Sequence, residues 1–162
     1  MRRFSYQSPR RSAKRAFALW LVLIVDLSAC NRGPRIAIIA PDGSRRASVS
    51  VEIAANPAAR ETGLMYRTHL GHNAGMIFVF PTSSQVDFWM KNTPIPLDMI
   101  FAGADGRIIG IVANAQPYAE SMLGVPGKSQ YVLEVSGGFC AAHGIKAGDR
   151  FDFSGEIPRT GN

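Results

Sequence analysis

The 162-residue chain has only two cysteines, Cys30 and Cys140, and Cys30 closes the leader-like segment described below. A single remaining thiol leaves no intrachain disulfide, which excludes a disulfide-stapled fold. Long apolar runs are also missing: FALWLVLIV, residues 17–25, is too short to cross a bilayer. HExxH, CxxC and GxSxG are absent, and His69 and His72 of HLGH have no second ligand pair near them in sequence. No zinc site or serine nucleophile is announced, and neither a metal nor a cofactor is expected. No internal repeat or low-complexity tract is visible.

The formal charge of +6 is concentrated at the start of the chain. Arg2, Arg3, Arg10, Arg11, Lys14 and Arg15 precede the apolar run, with no acid among them. A basic stretch followed by a short apolar one is the pattern of a secretory signal, here residues 1–29. LSAC, residues 27–30, resembles a bacterial lipobox, which implies cleavage before Cys30 and lipid attachment to it. Setting residues 1–29 aside leaves twelve basic and eleven acidic residues, a net charge of +1. Nucleic-acid binding thereby loses its electrostatic footprint. Asn31 rather than Asp after the cysteine points, by analogy with lipoprotein sorting, to the outer membrane. The expectation is an exported protein held through lipid on Cys30 at the periplasmic face, with a short tether over residues 30–34.

Residues 35–162 read as one domain. RIAIIA (35–40) and ASVSVEIA (47–54) look like strands joined by the turn PDGSRR, and Val49, Val51 and Ile53 alternate with polar residues. Asn56-Pro57 predicts a helix over residues 57–65. GMIFVF, VDFWMK, LDMIFA and RIIGIVAN are further strand candidates, separated by proline, Asn and Asp-Gly. Residues 115–128 have no clean period and read as a long loop. YVLEVS, a short helix in GGFCAAHG and a last strand in GDRFDFSG complete the chain. Many short strands with two short helices argue for a mostly-β (α+β) domain, a β-sandwich, jelly roll or small barrel.

GLMYR (63–67), GMIFVF (75–80), FWMKNTPIPLDMIF (88–101), YVLEVSGGF (131–139) and GIKAGD (144–149) together resemble the bacterial and archaeal family called domain of unknown function 192. The resemblance implies a compact, mostly-β fold of jelly-roll-like character, and it implies no established reaction.

FWMKNTPIPLDMIF sets Lys91, Asn92 and Asp98 in an otherwise apolar run. Pro94 and Pro96 favour a turn, and a hairpin across it would bring Lys91 toward Asp98, with Asn92 anchoring the turn. The same three residues, with Trp89, are candidates for the rim of an apolar ligand pocket. Arg67 is a further ligand candidate, with Glu52, Asp98 and Glu134 as possible partners for it and for Arg60. Asp98 and Glu134 are the candidate carboxylate pair for a hydrolase. Cys140, with His143 three residues on, reads as a buried thiol on a short helix. The methionines suit Cu(I) chemically but lie in packing blocks. Three readings follow: an envelope module binding a small polar ligand or glycan, an envelope protein-interaction or assembly factor, and a hydrolase using Asp98 and Glu134.

Overall fold

Val49 and Val51 are buried while Ser50 and Glu52 are exposed, so β2 (Arg45–Ala54) turns one face inward. In the computed structural model, which describes residues 33–154, 157 and 158, β2 pairs antiparallel with β1 (Arg35–Ile39). The connecting turn is held by Asp42, whose carboxylate accepts from the Ser44 N–H and hydroxyl at 2.8 and 2.6 Å. The signal-like segment, the lipobox and Cys30 lie outside the described residues.

β2 then runs parallel to β3 (Ala74–Ser84), and a parallel pair needs a crossover rather than a tight hairpin. The helix α1 (Pro57–Thr62) and the loop after it supply that crossover. Asn56 caps α1 by accepting from the Ala59 N–H at 2.9 Å, and Pro57 opens it. The helix stops short of the expected residue 65 because Gly63 adopts φ 48° and donates to the Ala59 carbonyl. A Cβ at Gly63 would lie 3.1 Å from the Phe78 ring, so both conformation and space favour glycine there.

The remaining strands are β4 (Leu97–Ala102), β5 (Ile108–Ala115), β6 (Ser129–Ser136) and β7 (Arg150–Ser154). Their order in one sheet is β5-β4-β6-β3-β2-β1-β7. The sheet curls until its outer strands meet at one end, where Ile108 N–H donates to the Asp149 carbonyl and Phe151 N–H to the Gly106 carbonyl, at 2.8 and 2.9 Å. The fold is therefore mostly β, a seven-stranded half-barrel with two short helices, α1 and α2 (Phe139–His143). One core, on one face, gathers Ile36, Val49, Ile77, Ile100, Leu133 and Phe139. A second, on the other face, gathers Met76, Phe78, Met99, Phe101 and Val132 under α1 and the loops.

VDFWMK (86–91) does not form the expected strand. It contributes one bridge, Phe88 to Leu123 of the long loop. Both edges of β4 are already taken, by β5 and β6, so no hairpin partner remains for residues 86–91. The expected Lys91–Asp98 pair is absent for that reason. Asp98 is fully buried and accepts instead from the backbone N–H groups of Asn114, Gly138 and Cys140 at 2.7, 3.0 and 2.7 Å. One carboxylate thus ties β4 to the end of β5 and to the start of α2. Replacing it strands three buried donors, so Asp98→Ala is expected to destabilise the fold by about 3 kcal/mol or more in urea unfolding. A loss under about 1 kcal/mol would deny Asp98 this role.

Candidate functional site

β6 lies between β3 and β4 and is buried along all but its last residue. Alternation sends Leu133 and Val135 to the first core, and Val132 and Glu134 to the opposite face. Glu134 stands opposite Met76 on β3 and Met99 on β4 and is 4% exposed. Among the described residues its carboxyl has no hydrogen bond or ion pair, and burial pushes its pKa up to about 8.

That carboxyl borders a cavity of about 290 Å³. Phe78 and Phe80 of β3, Phe88 and Trp89 of the following connection, and Leu64 and Met65 after α1 form its apolar walls. Phe88 organises these rings, meeting Phe78, Phe80 and Phe101 edge-on at centroid distances of 4.9, 6.4 and 5.9 Å. Each such edge contact stabilises by about 0.5–1.5 kcal/mol beyond the area it buries. Two cations sit on ring faces at this site. The Arg60 guanidinium lies 5.3 Å from the Phe80 centroid while donating to the carbonyls of Ala55 and Val79, and the Lys91 ammonium lies 4.9 Å from the Trp89 centroid.

The backbone beside the cavity is held in uncommon geometry. Tyr66, Asn92 and Tyr118 have φ of 63°, 56° and 60°. Tyr66 N–H donates to the Asn92 carbonyl at 2.7 Å, Asn92 Nδ2 donates to the Tyr66 hydroxyl at 2.9 Å, and Tyr118 N–H donates to the Thr93 carbonyl at 3.2 Å. Left-handed geometry is costly for a bulky residue, so these bonds to Asn92 and Thr93 hold the connection against strain.

Of the ligand candidates, Trp89 and Lys91 line the cavity. Asn92 stands behind it, fastening the loop after α1. Asp98 is committed to three backbone donors and is absent from the cavity wall. Arg67 pairs with Glu52 at 2.6 Å on a separate shallow cleft. The hydrolase pair is not assembled: Asp98 stands opposite Val135, so its side chain projects from the face of the sheet opposite to that of Glu134. Cys140 is buried, and burial together with the nearby Asp98 charge raises its pKa, which disfavours a thiolate. The His143 ring packs on Phe139 and bonds its carbonyl at 3.0 Å. His69 and His72 are exposed on the loop before β3, and no cluster of three His, Cys, Asp or Glu side chains occurs among the described residues. Asp87 joins the cavity wall without having been singled out in the sequence, since it had been assigned to a strand that does not form.

The raised pKa has a sign that stability can read. Below about pH 4.5 Glu134 is neutral in both folded and unfolded chains, whereas between there and about 8 only the unfolded chain ionises it. Its contribution therefore falls as pH rises through that window, by up to about 1.4 kcal/mol per pH unit. Glu134→Gln is expected to flatten this slope and to be the more stable protein at pH 9 in urea unfolding. Parallel pH profiles for the two proteins would contradict the burial of an unpartnered acid.

Comparison with known proteins places the fold. A solved structure from Sinorhizobium meliloti, described as a proposed transcription regulator, is 38% identical with a TM-score of 0.71 over 74% of this chain and 92% of that one. A protein of unknown function from Novosphingobium aromaticivorans is 42% identical with a TM-score of 0.69 over 73% of this chain and 83% of that one. Among curated proteins, none matches. The model of DUF192, described as Uncharacterized ACR, matches residues 37–153, a span that holds both helices, the cavity and nearly every strand residue. The chain belongs to the DUF192 family.

Proposed function

We propose that the chain is an exported, lipid-anchored module of the cell envelope that takes a small polar ligand or a glycan residue into the Glu134 cavity. The observation that carries this reading is the buried Glu134 at an aromatic-walled cavity, its carboxyl without a partner among the described residues. Small-ligand sites are mostly apolar enclosures with a few polar groups set to orient what enters. Here Glu134 supplies the inner polar group, Trp89 a partly exposed ring for stacking, and Lys91 and Asp87 the outer charged groups. The basic leader and LSAC support anchoring through lipid on Cys30 at the periplasmic face of the outer membrane. Catalysis is not part of the reading, since Glu134 has no second carboxylate beside it in the cavity other than the exposed Glu61 and Asp87. The net charge of +1 over residues 30–162 gives no reason to carry over the regulatory role proposed for the Sinorhizobium relative.

A second reading, an envelope protein-interaction factor, is favoured by a different observation. Tyr66, Trp89, Tyr118 and Met122 are exposed large apolar side chains; Trp89 belongs to the connection over residues 88–93, and the other three lie at or next to residues bonded to it. Crosslinking from position 122 in cells addresses it.

Thermal unfolding against sugars, cell-wall fragments, peptides and metal ions including Cu(I) tests the first reading. A ligand at about a hundred times its dissociation constant adds about 2.7 kcal/mol, a shift of several degrees. The shift is expected for one ligand class and is expected to vanish in Trp89→Ala and shrink in Lys91→Ala. No shift with any class would overturn the cavity reading and favour a protein partner. Metabolic labelling with palmitate is expected to mark the wild type and not Cys30→Ala.

A further inference from the structure

The same cavity carries an inference about the charge of its occupant, and it rests on the binding reading above. We infer that the ligand is a small organic cation, an alkylammonium group set against the Glu134 carboxylate with its carbon substituents on the aromatic and thioether walls.

A glutamate that is 4% exposed ordinarily has a protein partner, and Asp98 one strand away has three. Glu134 has none among the described residues, and the space it borders is the cavity. The protein's own cations do not fill the place. Arg60 is committed to two carbonyls and the Phe80 ring, Lys91 lies over Trp89, and neither pairs with Glu134. An anionic ligand would gain no ion pair from this carboxyl, and wherever Glu134 is ionised the two like charges would repel. The walls suit a cation as well. Aromatic faces attract cations, as the Arg60 guanidinium over Phe80 and the Lys91 ammonium over Trp89 show at this cavity. Met65 adds a polarisable, uncharged thioether to the wall. At about 290 Å³ the cavity stands at the small end of ligand sites, which limits the cation to a compact one.

Ionised Glu134 is the binding form, and burial holds its proton up to about pH 8. Entry of the cation therefore releases a proton at neutral pH, and affinity rises by up to about tenfold per pH unit until the carboxyl is ionised. The other charged groups sharing the cavity are Arg60 and Glu61 from α1, and Asp87 and Lys91 from the connection after β3. The cross-strand neighbours, Met76 and Met99, carry no charge.

The test uses the full chain labelled at methionine methyl groups and followed by NMR during titration with choline, its neutral isostere 3,3-dimethylbutan-1-ol, glucose and Cu(I). Choline is expected to move the Met65 signal at least tenfold more tightly than the isostere, and about tenfold more tightly at pH 7 than at pH 6. Glu134→Gln is expected to keep a folded spectrum, to bind the isostere unchanged and to lose the preference for choline. Equal binding of choline and isostere, or a preference that survives Glu134→Gln, overturns the cation. Movement with glucose or Cu(I) alone also overturns it while leaving a ligand site. Movement with no probe removes the cation and the cavity reading together.

Discussion

Burial of β4 and β6 on both faces is the constraint from which the rest follows. Every residue of β4 is buried, as are all but the last of β6, so any carboxyl on these strands needs internal partners or a shifted protonation equilibrium. The protein contains one solution of each kind on adjoining strands. Asp98 receives three backbone N–H groups and thereby holds α2 and the end of β5 in place. Glu134, on the opposite face, receives none among the described residues and keeps its proton to about pH 8. The first carboxylate is part of the architecture, whereas the second is a polar group available to something from outside.

The cavity is a consequence of topology before it is one of composition. β2 and β3 are parallel, and the crossover they require lays α1 and the following turn over the second core. Gly63 ends the helix in close contact with Phe78, and the residues after it, Leu64 and Met65, wall the cavity on that side. Residues 86–93 close another side. Excluded from the sheet by the occupied edges of β4, they are held by the Phe88–Leu123 bridge, by the Met90 N–H on the Ala119 carbonyl, and by the bonds of Tyr66 to Asn92 and of Tyr118 to Thr93, with Tyr66, Asn92 and Tyr118 at positive φ. Strain of that kind persists where the surroundings over-determine it, and here it presents Trp89 and Lys91 at the cavity.

Much of this was legible in the sequence. The alternation of Val49, Val51 and Ile53, the Asn-Pro cap of α1 and Gly144, which ends α2 at φ 62°, each act within a few residues, so local physics suffices to read them. VDFWMK misled because aromatic and branched residues suit a strand, while the pairing that decides the matter is non-local: β6, more than thirty residues later in sequence, takes the edge of β4. Trp89, Lys91 and Glu134 were visible as candidates, but their assembly was not, nor was the separation of Asp98 from Glu134. Register decides that separation, because shifting a strand by one residue exchanges its faces. A lone acid in YVLEVS marks a buried acid, and only the fold shows that it lacks a partner.

The central claim is that Glu134 is a buried acid facing the cavity, with no partner among the described residues. Carbon-13 NMR of glutamate side-chain carboxyls, assigned by comparison with Glu134→Gln, measures its titration directly. The account predicts one carboxyl with a midpoint near 8, far above the other glutamates, and a downfield ionisation step displaced to lower pH when the cavity is filled by a cation. A midpoint near the ordinary 4.5 would mean that the carboxyl is solvated or paired, and would contradict it.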